Sequence, residues 1–283
     1  MPANGGVHRP SKRLGQNFLV DLNVAEQIVS SASPGPNDAV LEPGPGHGTL
    51  TRLLMARAGR IVAVEKDPFL VRELRAEFSN QSNVTIIEGD VLKMQDTLPS
   101  FNKLVSTPPY YLSSKLIIFL AGRNFELASM VLQKEFGERL LAKPGTSGYG
   151  RLSVAAQRKL NLESLQFISR TSFHPRPKVD SMLLRFSPKK VQTELDEFLF
   201  EEMVRGIFTQ RRRLLRGALR NFLTQKYGRK DGKRLAERVA LPDSRVYQLS
   251  IDQLENLSIQ LWRLFSEEIA SGRLNRRTEV NHI

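Results

Sequence analysis

The chain is predicted to be an α/β protein, with a mostly parallel, doubly wound sheet followed by a small all-α domain. Two observations carry this. From about residue 38, short β-rich runs alternate with amphipathic stretches of helical length, the pattern of βαβ units. At Ser187-Pro188-Lys189-Lys190 the alternation stops, and beyond it only helical periodicity remains. The boundary is therefore set at 188/189, with residues 1–188 forming the α/β domain and 189–283 the helical one.

The elements follow in order. AVLEPG (39–44) leads into TLTRLLMARAG (49–59), and RIVAVEKD (60–67) into FLVRELRAEF (69–78). NVTIIEGD (83–90) is a third strand, and NKLVSTPPY (102–110) a fourth, followed by the helix SKLIIFLAG (114–122). ASMVLQKE (128–135) is a fifth; after a further helix, LQFISRT (165–171) and SMLLRFS (181–187) are strand-like. The helical part has apolar residues at Phe198, Met203 and Ile207, at Leu214, Leu215, Leu219 and Leu223, and at Leu254, Leu257, Leu261 and Leu264. The tail SGRLNRRTEVNHI (271–283) has little to bury and is expected to fray.

Composition narrows the chemistry. Against 29 acidic residues stand 42 Lys and Arg, a net charge of +13, which favours a polyanionic partner such as nucleic acid. The absence of cysteine excludes disulfides and thiol nucleophiles. His8, His47, His174 and His282 have no metal-ligand spacing, so no metal site is expected. No apolar run is long enough to cross a bilayer, and the polar, basic start of the chain has no signal-peptide pattern. The expectation is a cytoplasmic protein, and a monomer.

Ligands of doubly wound sheets bind beyond the carboxyl ends of the strands, so the strand-end residues matter most. In LEPGPGHGTLT (41–51), Gly44, Gly46 and Gly48 let the backbone turn tightly and come close to a ligand. Their G-x-G-x-G spacing departs from the G-x-G-x-x-G of dinucleotide binders, which disfavours a nicotinamide-dependent oxidoreductase and suits S-adenosylmethionine. Alone, the loop is a weak signal, since an ordinary strand-to-helix turn is the alternative. Glu65, about twenty residues on, can accept hydrogen bonds from both hydroxyls of a ribose. Asp90, after the third strand, can take the amine of the cofactor's adenine. Singly, either acid is more simply a surface carboxylate; three such strand ends in sequence order point to one adenosine-containing ligand.

The fourth strand ends in Ser106-Thr107-Pro108-Pro109-Tyr110. An exocyclic amine is a poor nucleophile because its lone pair is delocalised into the ring. Two acceptors, the Thr107 side chain and the Pro108 carbonyl held by the rigid prolines, can bind its two hydrogens and turn the lone pair towards a methyl donor. The Tyr110 ring can stack on a base flipped out of its helix, although the same string is also compatible with a proline-rich turn and a core tyrosine.

With these motifs in place, residues 9–187 resemble the small-subunit ribosomal RNA adenine dimethyltransferases. KRLGQNFLVD (12–21), LEPGPGHGTLT, VEKD (64–67), EGDVL (88–92), LQKEF (132–136), YGRLSVAAQ (149–157) and FHPRPKVDS (173–181) are similar to that family's signatures. The resemblance implies a Rossmann-like S-adenosylmethionine-dependent methyltransferase domain followed by a helical RNA-docking domain. It implies that Asn17 and Leu19 contact the cofactor beside Gly44, Gly46, Glu65, Asp90 and Thr107. It implies dimethylation of two adjacent adenines in the 3′-terminal hairpin of small-subunit rRNA, within a pre-ribosomal small subunit. By the same resemblance the FHPRPKVDS loop lies beside the target base, with Phe173 either a second stacking face or a hydrophobic plug under the loop.

One position departs from the family pattern. Thr107 stands where the family usually has Asn, giving a shorter side chain with a hydroxyl acceptor. The alternative function is therefore an rRNA-binding small-subunit assembly factor with reduced or no methyl transfer. In the helical part, Arg205, Arg212 and Arg216 recur at helical spacing and form a candidate basic face for phosphates. Between Arg205 and Arg238 lie twelve Lys and Arg residues named for this role, opposed only by Asp231 and Glu237. Such a run is often only a solvated surface, but like charges crowded without acids are costly unless an anion relieves them, which favours RNA docking.

Overall fold

The structure is a computed structural model that describes residues 15–189 and 195–274. In chain order its elements are β1 (Phe18–Leu19), α1 (Leu22–Ser31), β2 (Ala39–Pro43), α2 (Thr49–Met55), β3 (Arg60–Glu65), α3 (Pro68–Glu77), β4 (Val84–Glu88) and β5 (Lys103–Ser106). There follow α4 (Ser113–Ala121), β6 (Leu127–Gln133), α5 (Lys134–Leu141), α6 (Arg151–Lys159), β7 (Leu160–Ile168), β8 (Phe173–His174) and β9 (Ser181–Pro188). The last helices are α7 (Glu197–Phe208), α8 (Leu215–Tyr227), α9 (Arg229–Glu237) and α10 (Ile251–Ala270).

Seven strands form one sheet in the order β4-β3-β2-β5-β6-β9-β7. β4 through β6 pair in parallel, whereas β9 is antiparallel to both β6 and β7, so the sheet is mixed. The strand-like pieces 165–171 and 181–187 are these antiparallel members, and β7 begins five residues earlier than its sequence suggests. Central strands are buried on both faces and are near-continuous apolar runs, as Ile61 to Val64 in β3 shows. Start signals are local: Asp21 caps α1 by accepting from the N–H of Asn23 and Val24, and Asp67 caps α3 ahead of Pro68.

The order reverses between β2 and β5, because the chain steps outward to β3 and β4 before returning beside β2. The β2–β5 ladder runs only over Val40↔Lys103 and Leu41↔Leu104. Beyond it the strand ends part, and a crevice opens at this switch point.

The described chain divides into two compact units. The first runs to Glu138 and takes up Lys159–Lys189; the second comprises Arg139–Arg158 and the chain after Lys189. The expected division at 188/189 needs correction, since residues 139–158 belong with the helices. Tyr149 and Val154 are buried in the same apolar core as Phe208 and Leu219, and Arg158 bonds Glu197 and Glu255. In that core Met203, Ile207, Leu215, Leu219 and Leu223 are buried as the periodicity predicts, as are Leu254, Leu257, Leu261 and Leu264; only Phe198 and Leu214 depart from it, being half exposed beside the buried Leu199 and Leu215. Most of the tail from Asn275 lies outside the described residues.

Candidate active site

At the carboxyl ends of β2, β3, β4 and β5 the first unit holds a cleft open to solvent. Asn17, Leu19, Gly44, Gly46, Glu65, Asp90, Thr107, Pro108 and Tyr110 all line it. These residues span more than ninety positions in the sequence, and the sheet brings them together because each follows or ends a neighbouring strand.

The glycine loop leaves β2 with Gly44 at φ +70° and Gly46 at φ +59°. A Cβ on Gly46 would lie 2.9 Å from Cδ1 of Phe18, so the close approach of ring and loop requires glycine. Phe18 in turn packs on His47 with ring centroids 4.4 Å apart. Glu65 is 7% exposed; its carboxylate accepts from the N–H of Gly46 (3.2 Å), Lys66 (2.8 Å) and Asp67 (2.9 Å). Burial raises its pKa above the ordinary carboxylate value, against the pull of those three N–H donors. At Asp90 burial also works against the charge, but the Lys66 ammonium at 3.1 Å and the Leu92 N–H outweigh it and hold the pKa below the usual value.

The segment before α1 closes one side. Gln16 Nε2 donates to Asp67 (2.9 Å), Asn17 Nδ2 to the Gly15 carbonyl (3.2 Å), and Thr49 Oγ1 to the Leu19 carbonyl (3.1 Å). β1 pairs with β8 through Phe18↔His174 and Leu19↔Phe173. Phe173 is thereby 6% exposed and packs in the core with Leu19 and Leu183. It borders the cleft as a wall, which favours the hydrophobic plug over the stacking face of the two expected roles: a ring packed into a core offers no free face to a base.

On the other side, Ser106 Oγ donates to the Pro43 carbonyl at 2.6 Å, where the β2–β5 ladder has ended. Thr107 lies directly beyond, and its hydroxyl has no hydrogen-bond partner among the described residues. Pro109 (φ −52°, ψ 133°) turns the chain into the single 3₁₀ turn Tyr110–Leu112. Beneath the glycine loop, Glu42 is 1% exposed; one oxygen accepts from Thr51 Oγ1 (2.7 Å) and the other is unpaired. Burial pushes its carboxyl up to about 8, with the charge of Glu65 adding to the effect.

Gln16, Phe18, Ser106 and Ser181 contribute to the site without any sequence signal of their own; each lies inside one of the quoted strings, and contacts across the fold are what distinguish them.

In the helical unit the three named arginines do not form one helix face. Arg205 is on α7, Arg212 is in the turn between helices, and Arg216 is on α8, because the helix breaks over Thr209–Leu214. Arg205 leans on Glu202 (3.4 Å), while Arg212 and Arg216 are exposed. A shallow open recess is lined by Gly145, Ser147, Arg211, Arg212, Arg245 and Tyr247. Arg211 is held by the carbonyls of Tyr149 (2.9 Å) and Ser147 (2.5 Å), and Arg245 by that of Arg212, so neither guanidinium is neutralised by these bonds. Farther along, the arginines are neutralised: Arg234, Arg238 and Arg273 all bond Glu268, which is fully buried.

Among the described residues no group of three or more His, Asp or Glu is placed to hold a metal ion, and no helix is long and apolar enough to cross a membrane. The sequence pattern of the family described as ribosomal RNA adenine dimethylase matches residues 7–261. A protein of Thermococcus onnurineus named "Probable ribosomal RNA small subunit methyltransferase A" is 41% identical over 257 residues, covering 89% of this chain and 93% of that one. A dimethyladenosine transferase from Plasmodium falciparum superposes with a TM-score of 0.76 at 25% identity, over 89% of this chain and 98% of that one. The 23S rRNA methyltransferase ErmE superposes with a TM-score of 0.62 at 27% identity, over 88% and 100%.

Proposed function

This chain belongs to the ribosomal RNA adenine dimethylase family, and from that membership we propose that it dimethylates two adjacent adenosines in the 3′-terminal hairpin of small-subunit rRNA. It is an S-adenosylmethionine-dependent rRNA adenine dimethyltransferase. The observation that carries the reading is the convergence of the glycine loop, Glu65, Asp90 and the Thr107–Tyr110 turn on one cleft at the switch point. The residues present fit the cofactor: a loop where a Cβ at Gly46 would collide, and a buried carboxylate at the end of the next strand.

Gly44 and Gly46 would admit the cofactor close to the backbone, Glu65 would take the ribose hydroxyls, and Asp90, with Asn17 and Leu19 nearby, would hold the adenine end. When bound, S-adenosylmethionine supplies a methyl group on a sulfonium, a strong electrophile. The protein's own work is positioning. The free hydroxyl of Thr107 and the carbonyl of Pro108 accept the two hydrogens of the target amine and turn its lone pair outward. Tyr110 stacks on the extruded base. The nitrogen becomes acidic once methylated and gives up a proton to water, so no dedicated base is needed.

For the rRNA, the helical unit offers the recess of Arg211, Arg212 and Arg245, with Arg216 exposed on α8 as a further contact. A pre-ribosomal small subunit is the partner, a monomer the working form and the cytoplasm the compartment that fit this substrate. The direct test is mass spectrometry of rRNA fragments after incubation of unmodified small subunits with protein and cofactor. Two dimethyladenosines in the 3′-terminal fragment are expected. An unmodified product would replace this reading with the assembly factor.

A further inference from the structure

β9 enters the sheet as Ser181-Met182-Leu183-Leu184, and all four side chains are buried. Among them one polar atom, the Ser181 hydroxyl, is placed in an apolar layer at 0% exposure, where an unbonded hydroxyl would cost stability. Its partner is distant in sequence: the Tyr110 phenol, at 2.9 Å across 71 residues. We propose that Ser181 is a positioning residue of the methyl-transfer site, holding the far end of the Tyr110 ring at the angle at which it receives the target base. This inference rests on the stacking role given to Tyr110 above.

Ser181 is a fixed post. It sits in register with Gln133 of β6 on one side and Ile168 of β7 on the other. The preceding Asp180 is tied through its carbonyl to the Lys134 N–H (3.0 Å) and through its carboxylate to the Arg170 N–H (3.0 Å). Tyr110, by contrast, is in a short turn at the cleft, closed by the Leu112 N–H on the Pro109 carbonyl (2.9 Å). The turn fixes the near end of the ring, but two side-chain torsions would still let the ring swing. A hydrogen bond at the phenol oxygen removes that freedom before the base arrives, which is the preorganisation that transfer to a weak nucleophile requires. The phenol therefore serves orientation, while the ring face serves binding.

Tyr110→Phe separates the two roles, because phenylalanine stacks as well as tyrosine but cannot be held by Ser181. Single-turnover methylation of small-subunit rRNA at saturating cofactor and RNA is measured for the parent, Tyr110→Phe, Ser181→Ala and the double variant. The expected result is a roughly tenfold slower transfer step in each single variant, with the double variant no slower than either. Cofactor affinity is expected at the parental value in both single variants. A parental transfer rate in Tyr110→Phe overturns the inference whether or not Ser181→Ala folds. So do effects that multiply to about a hundredfold in the double variant, or a Ser181→Ala that lowers Tm while its transfer step keeps the parental rate. A parent that transfers no methyl group removes the enzymatic reading and this inference with it; an active parent matched by Tyr110→Phe removes this inference alone.

Discussion

The cleft of the first unit and the arginine-rich helices of the second were both singled out from sequence, and the structure treats them differently. In the cleft, the residues named from their motifs come together at the ends of four strands. In the helices, basic residues that look alike in sequence divide into two groups. Arg234, Arg238 and Arg273 surround the buried Glu268, and Arg158 is buried between Glu197 and Glu255. Arg211 and Arg245 are held by backbone carbonyls and line an open recess with Arg212. A strand-end motif specifies its own place in the fold, since the end of a strand in a doubly wound sheet is already a position. A run of arginines does not, because the acids that neutralise it come from a helix thirty residues away.

The largest effect expected is in the cleft. Thr107→Val keeps the shape of the side chain and deletes its acceptor, which should slow turnover about a hundredfold to a thousandfold. Thr107→Asn should retain or raise activity. Single-turnover methylation of small-subunit rRNA reads both, and a Thr107→Val enzyme at the parental rate would take position 107 out of the transfer step. Next, Glu65→Ala should weaken cofactor binding by about 1.5–3 kcal/mol with RNA affinity unchanged, as measured by calorimetry. An unaltered cofactor affinity in the folded variant would separate Glu65 from the site.

The helices can be tested by crossing the two kinds of arginine. Reversing Arg212 and Arg216 to Glu should flatten the dependence of RNA affinity on salt by roughly one unit of slope per lost phosphate contact, with Tm close to the parent's. Replacing Arg234 and Arg238 with Ala should do the opposite, leaving the salt slope intact and lowering Tm by several degrees as Glu268 keeps only Arg273 of its three arginine partners. Equal salt slopes in the two pairs would erase the distinction.

The last effect is electrostatic, is read as a pH dependence, and lies under the glycine loop. Folded, Glu42 has a pKa near 8 against an ordinary value of 4.5. Between these pH values the folded protein holds a proton that the unfolded chain has lost, so the contribution of Glu42 to stability is fully present below about 4.5 and is lost as pH rises through about 8. Glu42→Gln removes the titrating group, and its Tm should lack that component of the decline. Parallel Tm profiles for variant and parent would mean that Glu42 is ionised in the fold.

The sheet and its strand ends were legible because buried parallel strands are nearly pure apolar runs and their terminal motifs carry glycines, prolines and acids in a fixed order. The antiparallel pairing of β9 was not, since the apolar content of an eight-residue strand does not depend on which way the strand runs. Phe173 illustrates a second limit: its string was recognised, but only the pairing of Leu19 with Phe173 shows the ring turned into the core. The third is the segment 139–158. Its periodicity is helical in either unit, and only the burial of Tyr149 and Val154 decides which one it joins.

The Ser106 hydroxyl on the Pro43 carbonyl forms the last rung between β2 and β5, made by a side chain after the backbone rungs have stopped. Neighbouring strands are spaced about 4.8 Å apart, and this bond carries that spacing to the threshold of the cleft. The glycine loop that follows Pro43 and the turn that follows Ser106 therefore start from two points whose separation the sheet has already set. Whatever the two loops do beyond that rung, their bases are clamped together.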